Sequence, residues 1–277
     1  PVSRRARRRR REEEFSRLTA PGASPGTVVV DPEAPRPRIT LTAYGTHEEP
    51  LEKELDLEGL ASVRQCLDRH AVPWIDVDGL GDRDTILHIG EIFGLHQLSL
   101  EDVVHVHQRP KAERYDDYQF IVARMPIPGE KRRATEQMSL FRGRNFVLTF
   151  QEGVPGDCFE PVRHRLRQPH LRLRRMGADY LAYSLLDAVV DSYFPILESY
   201  GDQLEHLEDE VLGRPDRHTI LQLQLLKRDL LNLRRVFWPM REAVGSLLKD
   251  PSNLIGDETR IFLRDVYDHA VQQIDLL

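Results

Sequence analysis

The stretch Ser99-Leu-Glu-Asp-Val-Val-His-Val-His-Gln-Arg-Pro-Lys-Ala-Glu-Arg-Tyr-Asp-Asp-Tyr118 passes from helical to extended character within twenty residues. Glu101 and Asp102 open a short helix. Ser99 stands three residues before Asp102, the spacing of a capping box, in which the acid bonds back to the cap residue. Arg109-Pro110 ends the helix, because proline lacks the N–H and restricts the residue before it. Lys111 to Tyr118 follows as a charged strand. His105 and His107 are two apart, so they face different ways on a helix and make a poor zinc pair unless the helix has already ended.

The flanks extend this pattern. Upstream, Ile39-Thr-Leu-Thr-Ala43 alternates as a strand and Leu57–His70 reads as a helix. Pro73–Asp78 is a short strand ending at Gly79. Asp82 caps a helix to Phe93, with Ile86, Ile89, Ile92 and Phe93 on one face. Downstream, Tyr118–Ala123 alternates again, and Met138–Phe141 and Phe146–Phe150 flank a hairpin turn at Arg142-Gly-Arg-Asn145. These elements define an α/β domain with a mixed sheet.

Beyond Cys158 the pattern is helical throughout. Asp179–Leu212 reads as one helix about 50 Å long, interrupted at most by a kink at Pro195. Gly213-Arg-Pro215 turns the chain, and Thr219–Leu248 returns with Pro239 inside it, making an antiparallel hairpin. Asp250-Pro251 breaks it. Asp257 caps a third helix, with Glu258 in its first turn. That helix reaches Leu277 without glycine, proline or a basic last turn, the mark of a chain cut inside a helix. The expected segments are a disordered tail over 1–37, an α/β domain over 38–175, the hairpin over 176–252 and the start of a third long helix over 253–277.

No run of about 18 apolar residues, as a membrane helix needs, occurs in the chain. Cys66 and Cys158 form no CxxC pair, which argues against a disulfide framework or a zinc knuckle. The net charge of −6 conceals an asymmetry, because seven of the 39 basic residues lie between Arg4 and Arg11. The remaining 32 face 45 acids. The arginine run has no apolar segment after it, so it is not a signal peptide; it reads as a solvated tail, with nucleic acid or anionic lipid as the alternative partners.

The acids fall in rows. Asp187, Asp191, Glu198, Asp202, Glu205 and Asp209 share one helix face, and Lys227, Arg234 and Arg241 on the return helix offer ion pairs between the hairpin arms. On the third helix Asp265, Asp268, Gln272 and Asp275 occupy a seam where a coiled coil would carry leucine. Oxygen-only donors suit magnesium or calcium better than copper or zinc. No GxSxG elbow, P-loop or GxGxxG frames a catalytic site. Trp74 and Trp238 read as core. His88 and His96 carry no evident role.

From Trp74 to Leu277 an ordered series of motifs resembles the cytosolic part of the CorA family of divalent-cation channels and transporters. The series runs through Gly90-Glu-Ile-Phe-Gly-Leu-His96, Leu100-Glu-Asp102, His107-Gln-Arg-Pro-Lys111 and Phe120-Ile-Val122. It continues through Phe150-Gln-Glu152, Ala178-Asp-Tyr180, Asp191-Ser-Tyr-Phe194, Trp238-Pro-Met-Arg241 and Arg264-Asp-Val-Tyr-Asp-His269. The resemblance implies an α/β/α sandwich, a long helical hairpin and a stalk helix leading to transmembrane segments and a Gly-Met-Asn signature beyond Leu277. It implies a homopentamer at the inner membrane that moves Mg2+ and Co2+, with no enzymatic activity and no nucleic-acid partner. It also implies regulatory cations between subunits, with Asp102 of one facing Asp268 of the next and Glu101 and Asp187 forming a second site nearby. The competing readings are a zinc-transporting relative, a soluble metal-dependent enzyme using Glu101, Asp102 and His107, and an adaptor whose acidic hairpin binds basic partners.

Overall fold

The computed structural model describes residues 19–45, 50–56, 59–60, 63, 72–127, 135–168, 171–213 and 216–277. Among them, seven strands form one sheet: β1 (Arg38–Tyr44), β2 (Leu51–Leu55), β3 (Val72–Asp78), β4 (Lys111–Arg114), β5 (Tyr118–Pro126), β6 (Thr135–Gly143) and β7 (Val147–Gln151). Their order is β2-β1-β3-β7-β6-β5-β4. Only the β3–β7 pairing is parallel, so the sheet is mixed as expected.

Successive residues of a strand point to opposite faces, and both faces of this sheet are covered. Ile75, Val77, Phe120, Val122, Phe141 and Phe150 join one core with α1 (Arg83–Phe93) and α2 (Gln97–Val104). Trp74, Ile121, Ala123, Met138 and Leu140 join the other, with α3 (Glu160–Arg167), α4 (Ala178–Asp191), α5 (Phe194–Gly213), α6 (Arg217–Leu248) and α7 (Asp257–Asp275). Trp74 is 1% exposed, and its indole N–H donates to Thr149 at 2.9 Å. Arg163 of α3 donates to Asp76 of β3 at 2.9 Å and to Asp157 at 2.6 Å, fastening that helix to the sheet.

Several expectations shift. Residues 19–37, compositionally a tail, lie along the domain: Val28 is buried, Arg83 donates to its carbonyl, and Gly81 N–H donates to the Pro35 carbonyl at 2.7 Å. Gly79 turns β3 away with φ +107°, and a Cβ there would lie 2.6 Å from the Arg36 carbonyl oxygen. The helix read over Leu57–His70 lies mostly outside the described residues, as does the turn at Arg214-Pro215. β2 was not legible, because its Leu-Glu-Lys-Glu-Leu has the charge of an exposed edge.

Ser99 is no cap. α2 begins earlier, at Gln97, because the imidazole Nδ1 of His96 accepts from Leu98 N–H at 3.1 Å, while Ser99 is buried and donates to the His96 carbonyl. Lys111–Tyr118 is not one strand. β4 stops at Arg114, and Tyr115 N–H bonds to the Tyr118 carbonyl in a turn that starts β5. The long helix breaks at Ser192-Tyr193, just before Pro195, where proline has no N–H to give; Tyr193 OH donates to the Arg124 carbonyl and pins the joint to β5. Gly256, not Asp257, caps α7, and its N–H donates to Asp179 at 3.0 Å.

The hairpin arms pair through Leu197, Tyr200, Leu207, Leu226, Leu233 and Phe237. Among the described residues no ion pair crosses between them, because the charged rows face outward from this apolar seam. Arg234 and Arg241 instead lie over Trp238, which is 40% exposed rather than core.

A network joins the sheet to the loop after α6. Arg142, fully buried, donates to Gln119 Oε1 at 2.7 Å and to the Leu254 carbonyl, and Gln119 donates to Asp250. Arg260 donates to the Leu248 and Asp250 carbonyls at 2.8 Å each.

Candidate metal sites

The four acids singled out in the sequence occupy three places: the end of α2, the α4–α7 contact and the exposed face of α7. Glu101 and Asp102 lie in the last turn of α2. Glu101 Oε2 accepts from Gly26 N–H at 2.7 Å, and its Oε1 is 3.9 Å from His105 Nδ1. Asp102 turns the other way. Its Oδ1 accepts from Gln108 Nε2 at 2.8 Å and its Oδ2 from Lys111 Nζ at 2.6 Å. Its backbone carbonyl takes a bond from Gln137 at 2.8 Å, which fixes this turn against β6. Lys111 Nζ also reaches Glu113 Oε1 at 2.7 Å. Burial disfavours the lysine's charge, but its bonds to Asp102 and Glu113 outweigh that and hold its pKa above the ordinary value. His107, placed by the enzymatic reading beside these acids, is exposed beyond the helix end.

The second place lies between α4 and α7. Asp187 and Asp191 are four apart on α4, and His269 comes from α7. Their donor atoms all lie within 4.8 Å of one another. His269 Nδ1 is 3.0 Å from Asp191 Oδ1, and its ring meets Phe194 edge-on. Burial is the largest influence on Asp187, and with Asp191 and Asp265 it pushes the carboxyl up to about 6; Arg165 and His269 act in the opposite direction. An octahedral ion with ~2.1 Å bonds needs donors about 3 to 4.2 Å apart, a spacing of the same scale as this group. The imidazole makes the set acceptable to cobalt as well as to magnesium.

Asp268, next to His269, is exposed on α7 with Asp265, Gln272 and Asp275, as the seam pattern required. Leu263, Val266 and Ala270 bury the opposite face. Among the described residues, no hydrogen bond or ion pair joins Asp268 to Asp102, Glu101 or Asp187 within one chain. Sequence reasoning missed Asp191 and His269 as ligands. The i,i+4 spacing of Asp187 and Asp191 was visible, but nothing local brings His269 to them.

A mixed sheet sandwiched by helices, a long hairpin and an outward row of carboxylates are the architecture of a CorA-like soluble domain. The chain belongs to the CorA-like Mg2+ transporter family, whose model matches residues 70–277. It is 41% identical over 266 residues to the cobalt/magnesium transport protein CorA of Thermotoga maritima, covering 95% of this chain and 75% of that protein. It is 31% identical over 205 residues to a putative metal ion transporter, YfjQ, of Bacillus subtilis, covering 74% of this chain and 62% of that one. The fold matches the soluble domain of CorA from Methanocaldococcus jannaschii with a TM-score of 0.69 at 21% identity, over 86% of this chain and 90% of that one. It also matches the ZntB cytoplasmic domain from Vibrio parahaemolyticus with a TM-score of 0.60 at 11% identity, over the same shares. The relatives are named as metal ion transporters, not enzymes. Among the described residues no helix is long and apolar enough to cross a membrane.

Proposed function

We propose that this chain is the metal-sensing cytosolic domain of a membrane-embedded magnesium and cobalt transporter, assembled as five copies and gated by divalent cations held between neighbours. Asp102 of one copy faces Asp268 of the next. Glu101 and Asp187 contribute to a second site close by. The observation that carries the reading is the family match over residues 70–277; the Asp187–Asp191–His269 group supports it as a set of donors within one chain that a divalent ion suits. The seam of exposed oxygens on α7, backed by a buried apolar face, supports it further.

Two carboxylates about 4 Å apart repel by about 4 kcal/mol at an effective dielectric near 20, and a divalent ion between them converts that repulsion into a bridge. High internal magnesium locks neighbours together and favours the closed pore. Falling magnesium loosens the ring and shifts the population toward the open state. The membrane potential supplies the drive, about 2.3 kcal/mol per charge per 100 mV and twice that for a divalent ion.

Sedimentation velocity with and without millimolar MgCl2, on the wild type, Asp102→Asn and Asp268→Asn, tests the reading. Magnesium increases the sedimentation coefficient and the protease resistance of the wild type and does neither in the two variants. Equal responses in all three proteins remove these acids from the sensor.

A further inference from the structure

We propose that Lys111 is a tethered cation that occupies the Asp102 carboxylate until a divalent ion displaces it, so that this lysine sets the ion concentration at which the sensor fills. The inference rests on the reading of Asp102 as a cation ligand and concerns how that site is regulated.

Both carboxylate oxygens of Asp102 are already taken within the chain, Oδ1 by Gln108 Nε2 and Oδ2 by Lys111 Nζ. An arriving ion therefore meets an occupied ligand. The two donors differ in what they oppose. The Gln108 amide is neutral and competes for one lone pair, whereas the Lys111 ammonium repels a divalent ion at every approach to Oδ2. The side chains of Lys111 and Asp102 are 20% and 21% exposed, so solvent screens this repulsion less than it would at an open surface.

The geometry also gives the ammonium somewhere to go. Lys111 and Glu113 are two apart on β4, hence on the same side of the strand, and Nζ is equally close to Glu113 Oε1. Glu113 is the more exposed of the two acids, with 41% of its side chain accessible. A swing about the outer bonds of the lysine keeps the Glu113 partner, releases Asp102 and costs no unpaired charge. The main chains on either side do not need to move. The Asp102 carbonyl is held by Gln137, and Lys111 is paired with Val122 in the β4–β5 ladder. The exchange of one cation for another is therefore confined to a single flexible side chain.

Melting midpoints measured across a MgCl2 titration test the proposal on the wild type, Lys111→Gln, Lys111→Met, Lys111→Arg, Glu113→Gln and Asp102→Asn, with the Asp102→Asn/Lys111→Gln pair. Lys111→Gln and Lys111→Met lower the half-saturating concentration about tenfold, the scale of one charge-assisted hydrogen bond. Lys111→Arg, which keeps the charge, stays within about twofold of the wild type. Glu113→Gln removes the alternative partner and raises the half-saturating concentration. In the Asp102→Asn background, Lys111→Gln changes nothing further. If Asp102→Asn weakens the magnesium response but neither neutral lysine variant strengthens it, Lys111 is not the competitor and the proposal falls alone. If Asp102→Asn leaves the titration unchanged, the ligand reading of Asp102 fails and the proposal falls with it.

Discussion

Replacing Glu136 by glutamine should stabilise the protein at pH 8 and destabilise it slightly at about pH 5. Glu136 is the second residue of β6, is 1% exposed, and among the described residues has no hydrogen-bond partner for either carboxylate oxygen. Burial first, then the carboxylates of Glu152, Asp78 and Asp157, push its pKa up to about 8 from 4.5. Between those two values the folded chain holds a proton that the unfolded chain has released, so stability falls as pH rises through the window. At about 1.4 kcal/mol per pH unit, the full cost reached near pH 8 is on the order of 3 to 5 kcal/mol. Glutamine keeps the shape and does not titrate, but its buried amide N–H groups go unpaired at a cost of about 1–3 kcal/mol. The expected net gain at pH 8 is therefore about 2 kcal/mol, turning into a loss of about 1 kcal/mol at pH 5. Urea unfolding at about pH 5, 6.5 and 8 measures it. A gap between variant and wild type that stays constant with pH, or a variant less stable at pH 8, refutes the reasoning.

Three further outcomes follow from the geometry. Arg163→Met leaves the buried Asp76 and Asp157 carboxylates without their cation and should cost about 3–5 kcal/mol in chemical denaturation; a loss under 1 kcal/mol would show that the pair is not structural. Gly79→Ala forces a Cβ against the Arg36 carbonyl at φ +107° and should cost about 2 kcal/mol or more, read as a lower melting midpoint. His269→Ala removes the nitrogen donor beside Asp187 and Asp191, so protection by CoCl2 should weaken about tenfold while protection by MgCl2 changes less; undiminished protection by both ions would exclude His269 as a ligand.

Elements whose signal is local were legible in the sequence. Asp82 accepts from Asp84 N–H as an N-cap, the alternation of β5, β6 and β7 survives in the sheet, and the return helix α6 appears where its periodicity put it, whereas the helix read over Asp179–Leu212 is two helices. The errors arose where a distant group won a local competition. Ser99 lost the cap to the His96 imidazole, whose main-chain N–H is held by Tyr118 OH from β5. The expected ion pairs between the hairpin arms failed because leucines, not charges, set how the arms rotate against each other. The α7 seam was readable from spacing alone. The α4–α7 site was not, because its three donors come from two helices brought together only by tertiary packing.

The arms of the hairpin are held to each other by an apolar seam, whereas the sheet is tied to the loop after α6 by the Arg142–Gln119–Asp250 network. Along α5, Leu207 is buried in the midst of an otherwise exposed stretch from Gly201 to Gly213, so few contacts are lost when that stretch opens. The molecule is therefore thermodynamically graded along its length. Amide protons of the distal arms should therefore exchange with solvent through small local openings, and those of β5 to β7 only on global unfolding, a contrast that hydrogen exchange measures directly. The distal hairpin can adopt and leave conformations at little cost while the sheet beneath it stays folded.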